Sequence, residues 1–282
     1  MNKNKYIITK TPNSFLFDLK EIWKSKFIIY EFAKKELKTS YAQTIIGPVY
    51  FILLPLIQAI ILNFFMNNIT NKSTIDGYPS FIFCLLGTTI WNLISTIITK
   101  NSGCLLLNRK LITKTYINKL IFYISGIVIS FVHFLTNFLI LVGILIYYKY
   151  FVNEALYIEF SYKLLFLPLI LIYLTILCFS VGAIISCISI RYRDIVYGIP
   201  FLISMFFFIS PVLFSAKSGK LFSFIFSINP VSSVMEYFRW IFLVDYVPLN
   251  NIFLFNLIIT IGLFFLSINI FKKTENKITD LL

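Results

Sequence analysis

The sequence predicts an all-α integral membrane protein with six transmembrane helices, an N-terminal amphipathic interfacial helix and a short re-entrant helical pair before the last span. Two observations predict this fold class. Of the 282 residues, 59% are hydrophobic and 13% are charged, whereas soluble proteins have about 25% charged residues. The charges are also clustered, which leaves six uncharged stretches of at least 22 residues, and a helix of about 20 apolar residues crosses a bilayer.

The uncharged stretches also define the predicted domain organisation. Residues 1–38 form a cytoplasmic N-terminus, residues 39–271 form the transmembrane domain, and residues 272–282 form a cytoplasmic tail. A seventh apolar stretch has only 15 residues and contains Asn229-Pro230, so we predict a re-entrant segment at residues 217–245 instead of a span. The six predicted spans are residues 43–66, 79–99, 120–148, 164–190, 195–215 and 250–271.

The distribution of Lys and Arg predicts the orientation, because cytoplasmic loops retain these residues. With six spans, 19 of the 25 bases fall on the side of both termini and 6 fall on the other side. Both termini are therefore expected in the cytoplasm. The net charge of +13 is then mainly a topology signal, and we do not expect a nucleic-acid partner.

The N-terminus contains a predicted amphipathic helix from Ser14 to Leu37. Its apolar stripe has the spacing of three and four residues that is typical of a helix and consists of Leu16, Leu19, Trp23, Phe27 and Tyr30. Lys20, Lys24 and Lys34 lie off this stripe. Such a helix lies in the membrane interface, with its aromatic side towards the lipid and its lysines near anionic head groups.

The sequence lacks the residues that common catalytic centres need. It has one histidine, His133, and four cysteines without a C-x-x-C pair, so no multi-histidine or zinc site is expected. It contains no G-x-x-x-x-G-K-[ST] phosphate loop, which excludes ATP hydrolysis by that route. No carboxylate lies in the six uncharged stretches, which disfavours ion-coupled transport. We expect a chain with no metal or cofactor of its own that is not an enzyme.

Polar residues inside the spans also have helical spacing. The three groups are Asn92, Ser95 and Thr99; His133 and Asn137; and Gly182, Ser186 and Ser189. Small and hydroxyl-bearing residues at this spacing let membrane helices pack closely and form hydrogen bonds to each other. We therefore favour helix packing as their role, with a polar transport path as the alternative.

More specific motifs lie at the ends of the spans. They are Glu36-Leu37-Lys38-Thr39-Ser40-Tyr41 with Gly47-Pro48, Tyr78-Pro79, Trp91-Asn92, Arg191-Tyr192-Arg193-Asp194, Ser210-Pro211-Val212, and Asn229-Pro230 followed by Glu236-x-x-Arg239. In this order the motifs resemble those of the permease subunits of ABC exporters for polysaccharides, O-antigens and teichoic acids (polyol phosphates). The resemblance runs from about residue 15 to the C-terminus. One departure is Ile90, where many relatives have proline.

The resemblance implies a six-span subunit that forms a homodimer in the bacterial inner (plasma) membrane. Two copies of a separate ABC ATPase, which binds ATP and Mg, would associate at the cytoplasmic face. The implied substrate is a polyprenyl-lipid-linked glycan of the O-antigen type. Teichoic acid, capsular polysaccharide, a drug or a lipid are alternative substrates within this class. A membrane glycosyl or polyprenyl transferase, which needs clustered carboxylates, and a passive channel are alternatives from other classes.

The same resemblance assigns roles to residues outside the spans. The loop between the second and third spans would couple to the ATPase through Arg109, Lys110, Lys114 and Tyr116. The cytoplasmic boundary between the fourth and fifth spans would be marked by Arg191, Arg193 and Asp194. The re-entrant segment would form an outer gate with Asn229, Pro230, Glu236 and Arg239. Glu236 and Arg239 are three residues apart and could pair on one helical face, or they could form a solvated ion pair of little energetic value.

Aromatic side chains are candidates for the substrate path. Rings can stack on the C–H surfaces of a sugar polymer without fixing one register, which suits a chain that slides. The candidates are Tyr41, Tyr50, Tyr197, Phe201 and Phe208. The last three lie on one face of the fifth span, and the alternative is that this face packs against lipid or neighbouring helices.

Overall fold

The computed structural model describes residues 22–42, 48–69, 74–75, 77–114, 117–151, 158, 161–212, 226, 228–248 and 250–281. Nearly all of this part of the chain is helical. The helices are α1 (Lys26–Ala42), α2 (Pro48–Ile69), α3 (Ser80–Leu107), α4 (Arg109–Lys114), α5 (Leu120–Phe151), α6 (Leu167–Ser189), α7 (Asp194–Ile209), α8 (Pro230–Phe242) and α9 (Asn250–Leu281). A two-stranded hairpin precedes α3 and pairs β1 (Thr74–Ile75) antiparallel to β2 (Tyr78–Pro79).

Four helical segments are long and apolar enough to cross a membrane: Ser80–Leu107, Leu120–Phe151, Tyr162–Ser189 and Phe253–Thr274. The third of these includes a short 3-10 helix that leads into α6. The protein is therefore an all-α membrane protein. Two shorter apolar helices, Pro55–Met66 and Asp194–Ile209, lie where the first and fifth spans are predicted, so the count of six spans stays a prediction.

The predicted re-entrant pair is described only in part. Its second half is α8, a helix of 13 residues, which is too short to cross the hydrocarbon core. Residues 213–225 lie outside the described part of the chain. Helix α9 continues to Leu281, so the described part of the predicted tail is helical, and its place in the cytoplasm stays a prediction.

Helix α3 is the most buried of the four long segments and packs against α2, α5, α6, α7 and α8. Two neighbouring helices each place a glycine against Asn101 of α3. A Cβ atom on Gly182 of α6 would lie 2.6 Å from Asn101 Cβ, and one on Gly126 of α5 would lie 2.8 Å from Asn101 Oδ1. The hydroxyl of Ser189 also donates to the carbonyl of Ser102 over 3.4 Å. The group that contains Gly182 and Ser189 thus serves helix packing, as favoured from the sequence.

The cysteines are also packing residues. Cys84, Cys104, Cys178 and Cys187 are all buried and free. Within the described residues, no group of three His, Cys, Asp or Glu side chains could hold a metal ion. The described part of the chain therefore offers neither a disulfide framework nor a clustered ligand set.

Two ends of the bundle can be distinguished along α3. The hairpin end carries the β1–β2 hairpin and the residues that follow α8. There the Tyr78 hydroxyl donates to the Val244 carbonyl, the Tyr78 and Tyr246 rings are 5.8 Å apart, and Ile158 forms a β-bridge with Leu243. The basic end carries α1, α4 and the turn between α6 and α7.

Helix α1 packs on the bundle through one face only. Ile29 and Ala33 are buried, and the Phe32 ring lies 5.3 Å from that of Phe122 in α5. The opposite face exposes Phe27 and Tyr30, with fractions of 70% and 58%, and Trp23, which precedes α1, is 76% exposed. These are the described aromatic residues of the predicted stripe. Leu16 and Leu19 lie outside the described residues. The exposed aromatic face is the feature expected of a helix in the membrane interface.

Candidate functional site

A cavity of about 540 Å³, here named the polar cavity for the side chains that distinguish it, lies beside the middle of α3, between α2, α5 and α7, and most of its lining surface is apolar. Its polar lining comes from four helices and consists of Gln58, Asn92, Ser95, Thr96, His133, Asn137 and Ser204. The structure therefore brings two of the polar groups of the sequence together. Thr99, which the sequence grouped with Asn92, lines a different cavity at the basic end.

The side-chain amides of the polar cavity are only partly used by the protein. Asn92 Nδ2 donates to Gln58 Oε1 over 3.3 Å, which joins α3 to α2. Asn137 is 9% exposed, and its Oδ1 has no hydrogen-bond donor among the residues that the structure describes. A buried carbonyl oxygen without a donor is costly, so a ligand that supplies a hydroxyl would be stabilised there.

Aromatic rings form the other wall of the polar cavity. Trp91 and Phe207 meet edge to face with ring centroids 5.6 Å apart, and both residues line the cavity with Phe208. Amide groups opposite aromatic rings can bind a molecule that has both hydroxyl groups and C–H surfaces. The cavity is thus suited to a carbohydrate segment.

The predicted aromatic path meets the polar cavity at one residue. Phe208 lines the cavity, whereas Tyr197 and Phe201 do not. All three side chains are exposed, with fractions of 80% for Tyr197, 63% for Phe201 and 67% for Phe208. The side chains of Tyr41 and Tyr50 lie outside the described residues. Gln58, Ser204 and Phe207 also line the cavity, but they were not predicted as site residues from the sequence. Gln58 carried a usable signal, because it interrupts an otherwise apolar run in α2.

A second site lies at the hairpin end and contains Glu236 and Arg239 of α8. Their side chains are 3% and 1% exposed, and Arg239 Nη1 lies 3.7 Å from Glu236 Oε1. The alternative of a solvated ion pair is therefore wrong. The Tyr246 hydroxyl donates to Glu236 Oε1 over 2.8 Å, and the Arg239 guanidinium carbon lies 3.6 Å from the centre of the Phe83 ring.

Asn229 caps the N-terminus of α8, and Pro230 lies in its first turn. Asn229 Oδ1 accepts a hydrogen bond of 3.0 Å from the Val231 amide, and Pro230 occupies the first turn, where a missing N–H costs nothing. Asn229 Nδ2 also donates to Ser210 Oγ over 3.3 Å. The Ser210-Pro211-Val212 and Asn229-Pro230 motifs are thus in direct contact.

The basic end presents the residues predicted to couple to an ATPase. Helix α4 is anchored by Ile112, which is buried, whereas Lys110 and Lys114 are exposed and Arg109 is half-buried. Tyr116 lies outside the described residues. A cavity of about 420 Å³ separates α4 from α1, α3 and α5 and is lined by Lys35, Glu36 and Lys100 among others.

The turn between α6 and α7 lies at the same end. Arg191, Arg193 and Asp194 are all exposed, and the Arg191 guanidinium lies 5.5 Å from the centre of the Tyr192 ring. Asp194 occupies the first turn of α7, where a carboxylate is stabilised by the helix dipole. This turn therefore forms a charged boundary between two apolar helices.

Comparison with known proteins agrees with this arrangement. The model of the ABC-2 type transporter family matches residues 29–243, which include α2 to α8. The chain belongs to the ABC-2 type transporter family. It is thus a transport subunit of an ABC transporter, a multi-pass membrane permease.

Two curated relatives, both named O-antigen export system permease protein RfbA and both from Klebsiella pneumoniae, are each 23% identical over 272 residues. The matches cover 95% of this chain and 96% of each relative.

Proposed function

We propose that this ABC-2 permease exports an O-antigen-like polysaccharide, linked to a polyprenyl lipid, across the bacterial inner membrane. The observation that carries the proposal is the polar cavity, in which amide groups face aromatic rings beside the central helix. The name of the two relatives, which match nearly the whole chain, supports the same substrate class. A lipid-linked glycan is amphipathic, and the lining of this cavity includes both polar side chains and apolar aromatic rings.

The energy for export would come from a separate ABC ATPase that binds ATP and Mg. Two copies of this ATPase would bind a homodimer of the permease at the basic end. The exposed ammonium groups of Lys110 and Lys114 on the short helix α4, together with α1, provide a surface for this contact. The basic end would then be cytoplasmic, which agrees with the distribution of Lys and Arg.

The hairpin end would face the outside of the cell. Helix α8 is too short to span and buries its charged residues against α3, as expected for a re-entrant segment, since backbone at membrane depth must be enclosed by protein or line a cavity. We assign the outer gate to this segment, with Asn229 and Pro230 at its start and Glu236 and Arg239 in its interior.

Reconstitution tests this function. The permease and its ATPase are placed in proteoliposomes with lipid-linked polysaccharide, and transport of the polymer is followed with ATP and with a non-hydrolysable ATP analogue. We expect transport only with ATP. Polymer movement without hydrolysis would indicate a passive channel, and a new glycosidic product would indicate a transferase. ATP-dependent transport of teichoic acid but not of the O-antigen-like polymer would reassign the substrate within the same class.

A further inference from the structure

The cavity of about 420 Å³ at the basic end combines cationic and apolar lining residues. We name it the basic-end cavity. Lys35 of α1 and Lys100 of α3 line it together with one carboxylate, that of Glu36. Phe32 and Phe122 also line it, with their ring centroids 5.3 Å apart. The lining therefore suits a ligand that carries both an anionic group and a hydrocarbon chain.

The ammonium group of Lys100 is bound by a carboxylate that a ligand could replace. It donates a hydrogen bond to the Glu36 carboxylate, and both side chains are partly exposed. Since a partly exposed ion pair contributes little to stability, an anionic ligand can compete with Glu36 for this ammonium. Lys35 is next to Glu36 on α1 and is exposed, and lysine binds phosphate as a point charge. Two cations are thus available to one phosphate group.

Neutral hydrogen-bonding groups also line the basic-end cavity. The side-chain amide of Asn108 donates to the Cys104 carbonyl over 2.8 Å, and an amide nitrogen has a second N–H. Asn108 and Thr99 both line the cavity. An anion bound there would therefore meet neutral donors as well as ammonium groups.

The basic-end cavity and the polar cavity follow one another along α3 and α5. On α3, Thr99 lines the basic-end cavity and Thr96 lines the polar cavity, at a separation of about 4.5 Å along the helix. On α5, Gly126 lines the first cavity and His133 lines the second, at a separation of about 10 Å. A ligand that occupies both cavities would therefore lie along these two helices.

We propose that the basic-end cavity binds the phosphate that joins the lipid carrier to its glycan. Lys100 exchanges Glu36 for the phosphate, Lys35 supplies a second cation, and the rings of Phe32 and Phe122 contact the start of the hydrocarbon chain. The glycan then extends along α3 and α5 into the polar cavity. The identity of this ligand rests on the proposed function, whereas its binding is measured without transport.

Binding of a prenyl diphosphate to the full-length permease tests the site. The probe is radiolabelled geranylgeranyl diphosphate, and the permease is placed in nanodiscs of zwitterionic lipid without the ATPase, whose nucleotide site would also bind a diphosphate. Geranylgeraniol, inorganic pyrophosphate and phosphatidylglycerol are the competitors. Each should compete at least tenfold more weakly than unlabelled geranylgeranyl diphosphate, because the first lacks the phosphate, the second lacks the chain and the third lacks the prenyl diphosphate group.

Two substitutions that break the same ion pair should have opposite effects on binding. Lys100→Gln removes a cation and should raise the Kd of the probe at least fivefold, whereas Glu36→Gln removes the competing carboxylate and should lower it at least threefold. Lys35→Gln should also raise the Kd at least fivefold. Lys34→Gln is the matched control on α1 and should change the Kd less than twofold, because Lys34 lies over the Tyr30 ring and does not line the basic-end cavity.

These four side chains are at least partly exposed, so the substitutions should leave folding intact. A Kd that changes in the same direction in Lys100→Gln and Glu36→Gln would refute the site, because the ion pair would then act only through the position of α1. Equal losses in Lys34→Gln and Lys35→Gln would indicate diffuse surface charge and also refute it. Competition by phosphatidylglycerol as strong as by geranylgeranyl diphosphate would overturn the assignment to the carrier.

The binding assay separates this proposal from the proposed function. A permease that exports polysaccharide in proteoliposomes but does not bind the probe would refute the basic-end site and leave the proposed function intact. A permease that binds the probe with the expected effects of the variants but exports no polysaccharide would support the site and refute the proposed function.

Discussion

Lys100, two turns before the end of α3, donates a hydrogen bond to the carboxylate of Glu36 in α1. This ion pair joins α1 to the most buried helix of the bundle, at the end where the ATPase is proposed to bind. Both side chains are partly exposed, with fractions of 33% for Lys100 and 42% for Glu36. Such a pair contributes about 1 kcal/mol or less to stability, so its main effect is on the position of α1.

Charge exchange between these two residues is the first test. Glu36→Lys places two like charges together, so α1 should move away from α3, and substrate-stimulated ATP hydrolysis should fall severalfold while unfolding changes little. The double variant Glu36→Lys with Lys100→Glu restores opposite charges and should recover most of the hydrolysis. If the double variant is as impaired as the single one, the ion pair does not position α1.

The second prediction concerns coupling through α4. Replacing Arg109, Lys110 and Lys114 with alanine should leave the permease in the membrane but weaken ATPase binding at least tenfold, because the exposed charges of this helix are removed. Binding is measured by co-purification and by stimulated ATP hydrolysis after correct insertion has been checked. Lys272→Ala with Lys273→Ala, in α9, is the control for loss of charge. Normal hydrolysis in the inserted triple variant would leave α4 as a membrane anchor only.

A third prediction tests the topology. In whole cells, cysteines at residues 5 and 276 should not react with an impermeant thiol reagent, whereas Thr74→Cys, in the β1–β2 hairpin, should react. The expectation follows from the positive-inside rule, and the buried native cysteines give little background. Labelling of either terminus in intact cells would contradict the six-span arrangement with cytoplasmic ends.

The fourth prediction separates the polar cavity from the exposed aromatic stripe. Asn137→Leu and Phe208→Ala change the cavity lining and should slow polymer export about tenfold or more while the permease still assembles with its ATPase. Alanine at Tyr50, Tyr197 and Phe201 should slow export only if these residues line a path completed by the second protomer, since Tyr197 and Phe201 do not line the polar cavity. Wild-type export in the aromatic variants would make that stripe a packing surface.

Helix packing gives a fifth prediction. A Cβ atom on Gly182 would lie 2.6 Å from Asn101 Cβ, so Gly182→Ala should force α6 away from α3 and reduce the free energy of unfolding by about 1 to 3 kcal/mol. Thermal unfolding in detergent measures the change. Gly262→Ala, in α9, has nothing within 4 Å of the new Cβ and should be neutral or slightly stabilising. Equal melting temperatures for the two variants would show that the α3–α6 contact adapts.

Periodicity and local motifs predicted much of the fold. Uncharged stretches located the apolar helices, because hydropathy depends on neighbouring residues. Asn229-Pro230 was used only to predict a segment that does not span, and the structure shows that this dipeptide begins α8. Helix α7 ends at Ile209, within the span predicted for residues 195–215, because Pro211 disfavours a helical residue before it.

The sites were predicted less well, because they depend on how helices are rotated about their axes. The sequence placed Glu236 and Arg239 on one helix face, but their burial depends on Phe83 and Val212, which are distant in the chain. The stripes of Asn92 and Asn137 were recognised separately, and only the packing of α3 against α5 shows that both face one cavity.

Helix α3 carries three contacts in sequence: Gly87 faces Arg239 of α8, Asn92 faces the polar cavity, and Lys100 faces α1. Their relative directions are fixed by the helical repeat, so one alanine inserted between Gly87 and Trp91 would rotate every later residue by about 100° relative to Gly87. Asn92 and Lys100 would then no longer face their partners, whereas Gly87 would still face Arg239. The helical register of α3 therefore determines how the contacts at the two ends of the permease are oriented relative to each other.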